Sequence, residues 1–116
     1  MGKLRNSLVK PRTFAFSNQN GRCYYCNQPM SSSNLSKFSS KYAVSISQAM
    51  LLKCTGEHLV AHKDDGSSAR NNIVAACWFC NSHRHRRKGN PSPEQYKEMV
   101  QRRLSDGRWH GLILAA

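Results

Sequence analysis

Acidic residues are scarce in this chain of 116 residues: six Asp and Glu stand against eighteen Lys and Arg, and none of them precedes Glu57. A formal net charge of +12 would destabilise a compact state unless a polyanion normally neutralises it, and nucleic acid is the leading candidate. Apolar residues are also few and scattered, 39% of the total, so burial alone is thin support for the fold and another staple is expected. No apolar run reaches the length of a membrane span or of a signal peptide's core, so no membrane partner is expected. A chain of this length fits one domain and leaves too little sequence for a second.

The opening segment MGKLRNSLVKPRTFAF is basic and superficially like an organellar transit peptide, a reading set aside because basic residues continue throughout the chain. A myristoylation signal fails at Asn6, where Ser or Thr is wanted. Residues 1–20 show little periodicity and end in turn-like residues, and they are expected to form a basic arm that orders only on its partner.

The cysteine count is odd. Four of the five form two Cys-x2-Cys pairs, Cys23/Cys26 and Cys77/Cys80, and Cys54 is left over. This arithmetic favours a metal over disulfides and a reducing, intracellular (cytoplasmic) setting. Four thiolates satisfy Zn²⁺ completely and leave no position for water, so such a site is structural. A mixed set of Cys23, Cys26, His58 and His62 is formally open, but it would orphan Cys77 and Cys80.

Between and after the knuckles, SSSNLSKFSSKY reads as a serine-rich loop and Ser45–Leu52 as a short helix. Leu59 and Val60 suggest a strand, Lys63-Asp64-Asp65-Gly66 a hairpin turn, and Asn72–Ala76 a second strand. The second knuckle then begins a helix carrying Asn81, His83 and His85. Ser92, Pro93 and Gln95 start a last helix whose apolar face carries Tyr96, Met99, Val100 and Leu104, with Gly107 at its end. Residues 21–90 are thus the expected core, and 91–116 a helix and tail packed on the same domain. His83, Arg84, Arg86, Arg87 and Lys88 form a basic cluster beside the second cysteine pair, suited to phosphate contacts.

The order Cys-x2-Cys, Glu57-His58-Leu59, Gly66, Asn72-Ile73-Val74-Ala75-Ala76-Cys77-x2-Cys80-Asn81 resembles the HNH endonucleases, over about Cys23 to Lys88. The resemblance implies an α+β fold, a small ββα-metal (His-Me finger) domain stapled by the two zinc knuckles and extended by the C-terminal helix. It implies His58 as general base, Glu57 as an acidic ligand of a catalytic metal, Asn72 as a brace of the loop carrying the base, and Asn81 as a second metal ligand. It also suggests a bacterial or phage origin. Glu57 replaces the commoner Asp and Asn81 the commoner His; both keep oxygen ligands, which favours Mg²⁺ or Mn²⁺. His85, four residues after Asn81, shares its helix face. In the colicin-like members two histidines so spaced hold one metal, so His85 is a further candidate ligand, the other reading being a phosphate contact.

Hydrolysis of a phosphodiester needs this set because an anionic ester repels hydroxide and its leaving alkoxide needs charge stabilisation. A neutral histidine can take a proton from an attacking water near neutral pH, giving 5′-phosphate and 3′-hydroxyl ends. DNA is the expected substrate, with RNA left open, and the C-terminal helix with Trp109 offers an apolar face that could pair two subunits. The rival expectation is a non-catalytic, zinc-stabilised nucleic-acid-binding module. A zinc nucleobase deaminase is set aside, because Glu57 and His58 are adjacent and Ala76 precedes Cys77.

Overall fold

The computed structural model describes residues 2–60, 70–89 and 91–114. The hairpin turn expected at Lys63–Gly66, together with His62, lies outside them. Helices α1 (Gly2–Asn18), α2 (Leu35–Tyr42) and α3 (Ile46–Leu51) precede β1 (Cys54–His58), and β2 (Ile73–Cys77) leads directly into α4 (Trp78–His85) before α5 (Pro93–Ser105) closes the order. The strands pair antiparallel from Cys54 opposite Cys77 to His58 opposite Ile73. With α4 following β2, this is the expected small α+β, ββα arrangement.

Helix α1 corrects the reading of the first residues as an arm without structure of its own. It packs against both strands, with Ala15 buried and Leu8 and Phe16 partly so. Just past its end, the Gln19 side-chain amide works as a surrogate strand: Nε2 donates to the carbonyl of Ala75 at 2.8 Å and Oε1 accepts from the Ala75 N–H at 2.9 Å. The open edge of β2 is satisfied there.

The serine-rich loop is likewise a helix. The Asn34 side chain caps α2 by accepting from the Lys37 N–H at 2.9 Å, and Phe38 is buried with Leu35 and Tyr42 packed beside the core. Helices α3 and α5 begin as expected, each with a reciprocal capping box, Ser45 with Gln48 and Ser92 with Gln95. The strand expected at Leu59 and Val60 lies earlier: β1 ends at His58, and Leu59 only adds one bond to the carbonyl of Asn72.

The core gathers around the cysteines, with Tyr25, Leu52, Tyr96 and Val100 fully buried about them. The apolar face of α5 is used inside the chain. Tyr96 and Val100 are buried, and Trp109 meets Phe79 edge-on with 5.0 Å between ring centroids. The face expected to pair two subunits is therefore largely covered by this chain itself.

Candidate active site and metal centre

The first knuckle turns tightly because Asn27 adopts a left-handed backbone (φ 61°) and the Cys23 N–H donates to the carbonyl of Gln28 at 2.9 Å. In the second knuckle the Cys77 sulfur itself caps α4, accepting from the Cys80 N–H at 3.4 Å. These turns bring the sulfurs of Cys23, Cys26, Cys77 and Cys80, all buried, within 4.8 Å of one another. A tetrahedral zinc site with bonds of about 2.3 Å has edges of about 3.8 Å, and Cys26 Sγ lies 4.0 Å from Cys77 Sγ. The cysteines are positioned to bind one metal ion.

Electrostatics points the same way. Cys23, then Cys77 and Cys80, and less strongly His110, hold the Cys26 thiol well below its usual range. Cys77 is pushed up, chiefly by Cys23 and Cys26, and Cys80 by burial and the same neighbours. Four sulfurs this close cannot all ionise unless a cation is among them. Donors already aim at them: the N–H groups of Tyr25 and Cys77 reach Cys23 Sγ at 3.3 Å, and Trp109 Nε1 reaches Cys80 Sγ at 3.3 Å. Cys54 stands apart, its thiol pushed up to about 11 by burial, partly offset by Arg12.

A second constellation surrounds Glu57, whose side chain is wholly buried in β1. Its Oε2 accepts from Arg84 Nη1 at 2.9 Å and from the Tyr25 hydroxyl at 3.1 Å. Its Oε1 lies 3.1 Å from His85 Nε2. Burial, then the Glu57 charge, push the Tyr25 hydroxyl well above its ordinary range, so it stays a donor. Burial is the largest single influence on Arg84 and opposes its charge, but the bond to Glu57 together with the charges of Tyr25 and Glu57 outweighs it and holds the guanidinium above its usual value.

Asn81 comes from the same helix as Arg84 and His85. Its Nδ2 donates to Thr55 Oγ1 at 2.9 Å and to the carbonyl of Gly56 at 3.2 Å, while its buried Oδ1 has no partner. Two ligands at right angles on bonds of about 2.1 Å stand about 3 Å apart, close to the 3.1 Å between Glu57 Oε1 and His85 Nε2. A carboxylate oxygen beside an imidazole nitrogen is a donor pair that can hold a small divalent cation, and Asn81, on the same helix as His85, carries an unpartnered amide oxygen. Among the described residues, no third His, Cys, Asp or Glu joins Glu57 and His85 around one centre.

His58 ends β1, half-buried, and its carbonyl accepts from Arg84 Nη1 at 3.3 Å. Just beyond it, Asn72 holds Val60 in a two-way amide pair: Oδ1 accepts from the Val60 N–H at 2.8 Å and Nδ2 donates to the Val60 carbonyl at 3.0 Å.

The basic cluster is less uniform than its sequence suggests. The Arg84 side chain is 11% exposed and bound to Glu57, which does not suit the phosphate contact expected of it. His83 stacks on Phe79 at 4.0 Å with its Nδ1 on the Phe79 carbonyl, and Arg87 Nη2 rests on Met99 Sδ at 3.4 Å. Arg86 and Lys88 are exposed. The structural partners that sequence reasoning missed are Tyr25, hidden between two metal-ligating cysteines, and the inward turn of Arg84.

The family model for HNH endonucleases matches residues 23–87, more than half of the chain. The chain belongs to the HNH endonuclease family. Both cysteine pairs, Glu57, His58, Asn72, Asn81 and His85 all fall within the matched residues. Membership gives this HNH chain a nuclease-type function at the level of the family, with nucleic acid as its partner. Neither the curated proteins nor the solved structures compared with it gave a match. No helix among the described residues is long and apolar enough to cross a membrane.

Proposed function

We propose that this HNH chain is a metal-dependent endonuclease that hydrolyses DNA phosphodiester bonds to 5′-phosphate and 3′-hydroxyl ends, with His58 as general base. The observation that carries it is the split use of the Glu57 carboxylate: Oε2 is anchored by Tyr25 and Arg84, and Oε1 is presented beside His85. Glu57, Asn81 and His85 would hold Mg²⁺ or Mn²⁺, and the four cysteines would hold a structural Zn²⁺. When bound, the catalytic cation supplies charge neutralisation for the phosphodiester and its leaving oxygen.

The chain's own residues do the rest. Asn72 pins Val60 and so fixes the chain just beyond His58. His58 takes the proton of the attacking water, for which an imidazole is suited near neutral pH. Arg84 and Tyr25 are positioning residues that fix the Glu57 carboxylate. A non-catalytic binding module would account for the charge and the cysteines but gives no role to the paired Glu57 and His85. The test is nicking of supercoiled plasmid by the zinc-loaded protein with Mg²⁺, Mn²⁺ or no added divalent ion. Cleavage that needs the added ion is expected; a folded, zinc-loaded protein that binds DNA without cutting it under any of these conditions overturns the proposal.

A further inference from the structure

Three concavities run into one another along the side of the molecule where α1 faces the start of α2. The first, of about 390 Å³, lies among Arg12, Phe16, Ser32, Ser33, Lys53 and Cys54. A second of about 330 Å³ shares Ser32 and Ser33 with it and adds Lys37 and Phe38. A third of about 470 Å³ shares Phe16 with the first and Phe38 with the second, and adds Lys41 and Tyr42. The shared lining residues set the three side by side, a groove made of adjoining concavities.

Among the described residues, no carboxylate lines any part of it. Lys37 and Lys41 stand four residues apart on the eight-residue α2, a like-charge spacing that destabilises an isolated helix, and α2 has no acidic residue to offset it. Lys37, Lys41 and Lys53 are all exposed. Phe16 and Tyr42, both partly exposed, supply aromatic surface beside the charges, with the buried Phe38 beneath them. Cations beside partly exposed aromatic rings match a single strand that presents both phosphates and bases. A second copy of this chain, carrying the same +12 charge, is repelled from the groove.

We infer that this groove, walled by α1 and α2 and rimmed by Arg12, Lys37, Lys41 and Lys53, is the track for the nucleic-acid strand that flanks the scissile phosphodiester. Cys54 at one end of the groove opens β1 and His58 closes it; four steps of about 3.3 Å along a strand separate them by about 13 Å. Helix α1 lies outside the residues matched to the family. The inference deepens the nuclease reading by placing the substrate outside the basic cluster of α4.

The test is the salt dependence of binding of a fluorescent DNA oligonucleotide to the full zinc-loaded chain without added divalent ion. The triple variant Lys37→Gln, Lys41→Gln, Lys53→Gln changes only exposed side chains, and Arg102→Gln with Arg103→Gln on α5 is the control. On a single-stranded oligonucleotide each lost phosphate contact lowers the slope of log K against log salt by about 0.7, so the triple variant is expected to lose about two units of slope and the control none. An unchanged slope, or equal losses per charge in both sets, overturns the groove. So does polyglutamate displacing the oligonucleotide as well as unlabelled DNA does. A triple variant that loses the slope beside a wild type that binds but never cuts would leave the groove standing while the catalytic reading fails.

Discussion

The Tyr25 hydroxyl donates to Glu57 Oε2 at 3.1 Å, so a residue lying between Cys23 and Cys26 touches the carboxylate of the second constellation directly. The four-cysteine cluster and the proposed catalytic-metal site are therefore one side chain apart. Tyr25→Phe keeps the buried ring and removes the hydroxyl. Loss of a hydrogen bond to a charged group should lower stability by about 1.5–3 kcal/mol and weaken Mn²⁺ binding, with zinc content unchanged. Denaturant titration and Mn²⁺ electron paramagnetic resonance would show it; wild-type values in both would break the link.

Arg84 divides two accounts of the basic cluster. Its ion pair with Glu57 is part-buried, the carboxylate wholly so, and removing the partner of a buried charge leaves it uncompensated at a cost of up to about 3–5 kcal/mol. Arg84→Ala should therefore lose stability of that order without changing the salt slope of DNA binding. Unfolding curves and binding isotherms distinguish this from a surface phosphate contact, which would leave stability intact and flatten the slope.

The metal-binding cysteines also have an outer partner in the C-terminal tail. Trp109 Nε1 donates to Cys80 Sγ, and donors to a metal ligand contribute about ten- to a hundred-fold to metal affinity. Trp109→Phe retains an aromatic ring against Phe79, so zinc should pass to a competing chelator at least about ten-fold more readily. A wild-type chelator competition curve for this variant would reduce Trp109 to packing.

Cys77→Ser should abolish both zinc binding and folding, because it removes a metal ligand and the cap of α4 together. Cys54→Ser should keep the full zinc content, since Cys54 lies outside the sulfur cluster. Elemental analysis and circular dichroism of the two variants check this; a Cys77→Ser protein that is folded and zinc-loaded would contradict it.

What was legible in the sequence was what short-range chemistry writes there. The cysteine spacing, the short helix after Ser45, the Ser92 cap and the apolar stripe of α5 each act within a few residues, and each lies where the sequence places it. Helix α2 had its signal too, an Asn34 cap with Leu35, Phe38 and Tyr42 at helical spacing, obscured by the serines around them. Helix α1 offered none: Pro11, a residue that argues against a helix, lies inside it, its apolar periodicity is weak, and its packing on the strands and the Gln19 bonds to Ala75 come from tertiary contact. The sequence pattern named Glu57, His58, Asn72, Asn81 and His85 as candidates but could not show that Arg84 turns inward or that Tyr25 reaches across to Glu57.

The most direct test of the central claim is plasmid cleavage by His58→Ala in a permissive divalent metal, with zinc content and DNA affinity measured on the same preparation. The substitution leaves the four cysteines, Glu57, Asn81, His85 and the lysines of the groove in place. Zinc content and binding should therefore match the wild type, while cleavage should fall by about a hundred- to ten-thousand-fold, the usual contribution of a general base. Cleavage at the wild-type rate by a variant free of contaminating nuclease would contradict the assignment of His58.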